Sequence, residues 1–254
     1  IIHGPGAVWH QLEGEVYRAQ VGKPIGFFYG YDTKGVFQNG EQIGQFSEKY
    51  EDKLHGGNDK LKPGDLIFRD VTGDGIINDN DRTMIGDPHP DVTVGLNLNL
   101  AYKGFDFSVT GAGAFGQQIL RTWANQDFLT ENLNKKIVYG SWKGEGSSNK
   151  LPLFDGFDTP NWKYMSAAML EDGDYFKIQN VPLGYDFKRL WKSCPLQQLR
   201  VYVAANNLIT FTKYTGMDPE VASNGGTDDS WAAGIDTGVY PSPRTYLVGV
   251  NLKF

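Results

Sequence analysis

Among the 254 residues there is one cysteine, Cys194. That excludes an internal disulfide framework and any zinc site built from cysteines. A surplus of positive charge is also missing. Lys and Arg number 24 against 30 Asp and Glu, a formal net charge of −6, which argues against a nucleic-acid partner. No apolar run approaches the roughly 18 residues of a membrane-spanning helix. The histidines, His3, His10, His55 and His89, form no HExxH motif and no i, i+4 pair, so zinc catalysis has no support. There is no P-loop. The stretch Gly111-Ala112-Gly113-Ala114-Phe115-Gly116 lacks the strand-to-helix setting of a dinucleotide loop, and its glycines read as points where a strand bends. No repeat of solenoid or propeller length occurs. The chain opens on Ile1-Ile2-His3-Gly4, with no initiator Met and no signal-peptide apolar stretch. That opening predicts a processed product or the C-terminal piece of something longer.

What is present is a period of two. In Val92–Tyr102 the even positions are Val, Val, Leu, Leu, Leu and Tyr, and the odd ones Thr, Gly, Asn, Asn and Ala. One apolar and one polar face define a strand. After Lys103-Gly104 the pattern resumes with Phe105, Phe107, Val109 and Phe115, so the two runs predict a long hairpin. Residues 174–188 repeat the theme, with the apolar phase flipping near Asn180 as at a β-bulge. Segments 198–211 and 243–254 follow, and a further strand is expected within 24–37 around Phe27–Tyr31. Several runs reach eleven to fifteen residues, against a usual length of about five or six.

The connections are unequal. Turns at 103–104 and 189–197 are short, whereas 38–90, 118–173 and 212–242 are long, polar and rich in Gly, Asn and Asp. Alternating short and long connections mark an outer-membrane β-barrel, with short periplasmic turns and long external loops. Structureless loops above about 12–15 residues are uncommon in compact soluble domains, which weighs against the alternative, a secreted soluble β-sandwich that binds carbohydrate. Six strands cannot close a membrane barrel, whose minimum is about eight, so these strands are expected to belong to a larger sheet.

A series of segments then resembles one family. It runs from Gly22-Lys23-Pro24-Ile25-Gly26-Phe27-Phe28-Tyr29-Gly30-Tyr31 through Pro63-Gly64-Asp65 and Asp70-Val71-Thr72-Gly73-Asp74-Gly75. It continues with Ile85-Gly86-Asp87-Pro88-His89-Pro90-Asp91 and Asp174-Tyr175-Phe176-Lys177. It ends with Asn206-Asn207-Leu208, Asp218-Pro219-Glu220, Tyr240-Pro241 and the terminal Phe254. In order and spacing this resembles the C-terminal part of the SusC/RagA family of TonB-dependent outer-membrane transporters. The resemblance implies an all-β fold, in which residues 1–254 are the last strands of an antiparallel barrel of about 22 strands with long extracellular loops. It also implies a location in the outer membrane of a Gram-negative bacterium, in contact with membrane lipid. The implied partners are a SusD-like surface lipoprotein and, through an N-terminal region absent here, the TonB complex. The implied cargo is a glycan, oligosaccharide or peptide, and no catalysis.

Within the long loops, Asp70–Asp81 reads D-V-T-G-D-G-I-I-N-D-N-D. Set against an EF-hand loop, Asp70, Thr72, Asp74, Ile76 through its carbonyl, Asn78 and Asp81 fall at the ligand positions, and Gly75 at the sharp turn. This predicts a Ca²⁺ or Mg²⁺ site bracing a loop, against the plainer reading of an Asx-rich turn satisfied by its own backbone. Thr72 and a terminal Asp in place of Glu make it a weaker ligand set. Trp142, Trp162 and Trp231, beside Phe154, Phe157 and Tyr164 and among acidic residues, are candidates to contact a sugar or a lid protein. The alternative is that they pack the loops together or form part of an interfacial aromatic girdle. The acid pairs within Glu171–Asp174 and at Asp228-Asp229 lack the facing geometry of a glycosidase, which needs two carboxylates about 5–9.5 Å apart. Cys194 has no base beside it in sequence and reads as an inert thiol. In the last strand, Tyr246, Val248, Val250, Leu252 and the terminal Phe254 alternate and resemble the signal by which barrel-assembly machinery recognises its clients, against the plainer reading of a terminal strand with a buried edge.

Overall fold

The computed structural model describes residues 2–3, 15–121, 135–156, 159–191, 193–220, 233–236, 238 and 240–254. The chain divides into two compact units. One contains Pro90–Gln117, Asp172–Pro219 and Val239–Phe254, and the other Ile1–His89, Gln118–Glu171 and Glu220–Gly238.

The first unit is built on a five-stranded antiparallel sheet. Its strands are β1 (Val92–Tyr102), β2 (Phe105–Phe115), β3 (Tyr175–Asp186), β4 (Gln198–Thr212) and β5 (Thr245–Lys253). They lie side by side in the order β5-β4-β3-β2-β1. The hairpin turn between β1 and β2 works because Lys103 (φ 46°) and Gly104 (φ 95°) both adopt left-handed backbone, as a tight two-residue hairpin demands. The expected bulge is present. Register shifts between Ile178 and Asn180 against β4, and between Thr110 and Gly111 on the β2 side. It absorbs the phase flip and keeps Ile178 and Val181 on one face. All five long strands expected from the alternation are found within a few residues of their expected ends.

The second unit corrects one expectation and refines another. The long connections fold around hydrophobic cores of their own. One core gathers Val16, Tyr17, Phe28, Leu120, Met165, Leu170 and Ile235. Another gathers Tyr31, Val36, Phe37, Phe46, Leu54, Leu66, Phe68, Ile77 and Ala168. The strand expected within 24–37 around Phe27–Tyr31 is present, but the segment does not run on as one long strand. It forms two short strands, Phe27–Tyr31 and Thr33–Val36, in two different small sheets. The physical reason lies in Phe27-Phe28, adjacent aromatics that point to opposite sides and are both buried. A strand with one face in lipid has no use for that pattern.

Short helices and turns complete this unit. The helix Gly40–Ser47 is capped by Asn39, whose side chain accepts the Gln42 N–H at 3.1 Å. Gly30 is required by close packing: a Cβ there would collide with the Met165 carbonyl, which accepts the Tyr31 N–H at 2.9 Å.

Candidate functional site

Register decides what the sheet presents. Across it, Leu100, Phe107, Leu183, Val203 and Val248 fall in one row, and Tyr102, Phe105, Tyr185, Val201 and Val250 in the next. The apolar residues of all five strands therefore share one face. Among the described residues nothing covers that face. Val203 is 49% exposed and Val248 79%, and Leu96, Leu98 and Leu100 are likewise open. An uncovered apolar face spanning five strands far exceeds the few hundred Å² that soluble monomers tolerate. Eleven-residue strands at about 3.3 Å per residue, tilted about 45°, span about 25 Å, the height of an outer-membrane apolar band. At the end carrying the short turns, Tyr102, Phe187 and Trp191 are exposed, the placement of an interfacial aromatic girdle.

The opposite face carries the polar set. Thr93, Asn97 and Asn99 stand on β1, with Asn99 Nδ2 donating to Asn97 Oδ1 at 3.0 Å. Asp106 on β2 and Arg200 on β4 meet across β3, with Arg200 Nε and Nη2 at 2.8 and 2.5 Å from the two carboxylate oxygens. Gly184 lies between them, where a Cβ would collide with both side chains. Tyr202 lies under the guanidinium at 4.7 Å and fills the space that Gly249 leaves open. Farther along, Lys177 is buried, its ammonium 3.2 Å from Asp218 Oδ2. This face is hydrogen-bonded and charged, as suits the interior of a barrel.

In the other unit the 70–81 turn is closed by its own donors. Asp70 accepts the Gly73 and Gly75 N–H groups at 2.6 and 2.9 Å. The Gly75 bond leads in holding its carboxyl below the usual range. Asp81, fully buried, accepts from Val71 and Thr72 on one oxygen and from Asn78 on the other. Thr72 Oγ1 lies 3.2 Å from Asp70 Oδ1 and 3.1 Å from Asp81 Oδ1, so those three oxygens converge. Asp74 instead takes the Ile76 N–H at 2.8 Å. Among the described residues no three acidic, His or Cys side chains form a metal-holding group.

Of the tryptophans, Trp162 is buried against Ile137 and Phe154 and donates to the Leu153 carbonyl at 3.0 Å. Trp142 packs on the second core and donates to Gln38 Oε1 at 3.2 Å. Both therefore pack the loops. Trp231, with Phe157, Asp228 and Asp229, lies outside the described residues. Tyr246, Val248, Val250 and Leu252 line the apolar face of β5, and Phe254 follows, also exposed.

One buried group escaped the reading of the sequence. His55 Nδ1 lies 2.8 Å from Asp52 Oδ2, and its Nε2 3.4 Å from Asn161 Oδ1. The Asn161 amide is fixed in that sense, because Nδ2 donates to Asp65 at 2.8 Å and Oδ1 accepts the Leu66 N–H at 2.8 Å. Nε2 thus faces an acceptor and must carry a proton. Burial works against a charged imidazole, but the hydrogen bond and charge of Asp52 outweigh it, so the His55 pKa is raised. The i, i+3 spacing of Asp52 and His55 was the available signal. The partner Asn161, over a hundred residues away, was not available.

A membrane-facing apolar surface backed by a polar one, in long antiparallel strands with unequal connections, defines the wall of a transmembrane β-barrel. The sheet itself is open. No family model matches the chain. It is 33% identical over 249 residues to TonB-dependent receptor P3 of Formosa agariphila, covering 96% of this chain and 24% of that one. It is 31% identical over 196 residues to TonB-dependent receptor SusC of Bacteroides thetaiotaomicron, covering 76% of this chain and 18% of SusC. Among solved structures, the RagAB peptide importer in its closed-closed state matches 94% of this chain at 20% identity and a TM-score of 0.61, over 24% of its own chain. The chain belongs to the SusC/RagA-type TonB-dependent receptors, and spans about a quarter of the length of these relatives or less.

Proposed function

We propose that this chain forms part of the wall and external region of an outer-membrane importer that takes up a nutrient in a TonB-dependent way. The observation that carries the reading is the five-strand face of exposed apolar side chains backed by a hydrogen-bonded polar face. The relatives named above support the same assignment. The cargo class is an oligosaccharide, glycan or peptide, received together with a SusD-like surface lipoprotein, and the chain does no catalysis. Residues such as Asn97, Asn99, Asp106 and Arg200 would face the passage, and Leu96, Leu98, Phe105 and Phe107 the lipid. The alternating face of Tyr246, Val248, Val250 and Leu252, with Phe254, would present the assembly signal.

A cation in the 70–81 turn belongs to this reading as a brace for an external loop. It is supported by the convergence of oxygens from Asp70, Thr72 and Asp81. Titration calorimetry of the full-length receptor with CaCl₂ and MgCl₂ tests it. Heat that is lost in the Asp70→Asn variant supports the brace, and no heat removes it.

The import reading is tested by disrupting the gene for the full-length receptor and measuring growth on a panel of glycans and peptides. Loss of growth on one nutrient, with the receptor found in the detergent-soluble outer membrane, is the expected result. Unchanged growth throughout, with the polypeptide recovered in a water-soluble fraction, would overturn it in favour of a carbohydrate-binding sandwich.

A further inference from the structure

At the end of the polar face farthest from the short turns lies a cleft that none of the roles above uses. Its volume is about 370 Å³, at the lower end of the roughly 300–1,000 Å³ range of small-molecule sites. The end of β4 forms one wall with Asn207, Thr210 and Thr212, residues 216–219 form another, and Ser242 and Arg244 close it. The charges in it can be paired off. Lys177, opposite Thr210 in register, is held by both carboxylate oxygens of Asp218 at 3.2 and 3.4 Å. Asp218 also accepts the Ser242 N–H at 3.2 Å. That cation and that anion cancel. Arg244 is different. It lines the same cleft, is exposed, and makes no ion pair among the described residues. Thr210 lines the same cleft, with a hydroxyl that makes no hydrogen bond among the described residues.

A cleft lined by a guanidinium with no ion pair among the described residues and by a hydroxyl attracts an anion, and the planar fork of Arg matches a carboxylate through two parallel N–H···O bonds. We propose that this cleft is a subsite for a carboxylate group of the imported solute, with Arg244 as its charged partner and Thr210 as a further hydrogen-bonding group in its lining. The proposal rests on the importer reading. The carboxylate could be a peptide C-terminus or that of a uronic-acid sugar, and the cleft has room for one such terminal unit.

The test uses the full-length receptor in detergent and four probes: acetyl-trialanine as acid and as amide, trigalacturonic acid, and the corresponding neutral galactose trisaccharide. Calorimetry should show one of the acids binding at least tenfold more tightly than its neutral counterpart. Arg244→Gln should abolish that preference and Arg244→Lys should keep part of it, with both variants retaining normal outer-membrane levels. Preference for the peptide acid names a peptide as the source, and preference for the uronate names an acidic glycan. Equal binding of acid and neutral forms, a preference that survives Arg244→Gln, or no binding of any probe would overturn the subsite. The growth experiment does not depend on Arg244, so it judges the importer reading separately.

Discussion

Phe27, Phe28 and Tyr31 are at most 1% exposed, while Tyr246, Val248 and Phe254 are 68–83% exposed. Both sets are apolar and both lie in or beside β-strands, yet one unit buries them inside protein and the other turns them outward. In the first, the hydrophobic effect holds the fold together by removing apolar area from water. In the second, the side chains leave water only when lipid covers them, and the strands are held by backbone pairing and by the polar face. The difference shows that alternation alone identifies a two-faced strand but not the medium on its apolar side. Doublets such as Phe27-Phe28, apolar in both directions, identify protein.

The contrast can be broken most strongly from the buried side. Phe28→Ala should cost about 3–5 kcal/mol through lost transfer energy and a cavity. Limited proteolysis of the full-length receptor should then cut within 15–89 while leaving the wall strands intact. Val248→Ala, at an exposed apolar position, should change little in the same assay. Equal effects would mean that the two apolar sets are solvated alike.

From the wall side, Leu98→Arg should destabilise the membrane-inserted receptor by about 2–4 kcal/mol, the cost of a cation on the lipid face near mid-depth. Asn97→Arg, one residue away on the other face, should be tolerated. Urea unfolding in lipid vesicles reads both. Similar losses for the pair would put both faces in the same medium.

Smaller effects sharpen the picture of the unit that contains the buried cores. Asp81→Ala removes the acceptor for three backbone N–H groups, at about 1–3 kcal/mol if they stay buried and unpaired. Hydrogen exchange at Val71, Thr72 and Asn78 should speed up, and unchanged exchange would show that the network is dispensable.

The mildest test is pH. The His55 pKa is raised in the folded chain, so its contribution to stability is fully present below the unfolded value, about 6.5. It is lost as pH rises through the folded value. Proteolytic resistance of segment 52–66 should therefore decline above about pH 6.5 in wild type and stay flat in His55→Gln. A wild-type profile as flat as the variant's would remove the charged imidazole.

Much of the wall was legible in the sequence because strand periodicity is local. The alternation from Val92 to Tyr102 names its own two faces, and the phase slip at Asn180 announces its bulge. The unit that contains the buried cores was much less legible. The stretches 38–90 and 118–173 read as polar loops because their core residues are scattered singly. Leu120 and Met165 join one core, and Leu54 and Ile77 another, only when segments distant in sequence are brought together. Trp162 illustrates the cost: among acidic residues it suggests a binding surface, and in the fold it fills a core. The cleft at Arg244 was equally hidden, since Lys177, Asp218 and Arg244 are separated by 41 and then 26 positions in the chain.

By itself, the sequence determined the strand type, the length of the wall strands, their two faces, the tight Lys103-Gly104 turn and the bulge. These follow from side-chain alternation and backbone preference over a few residues. Only the tertiary structure decided which apolar residues are buried in protein and which are left for lipid. It alone joined Asn161 to His55 and Asp65, and left Arg244 without an ion pair among the described residues where Lys177 is neutralised. The physical reason is that burial and charge compensation are set by what lies across a gap in space, and a linear pattern does not contain that distance.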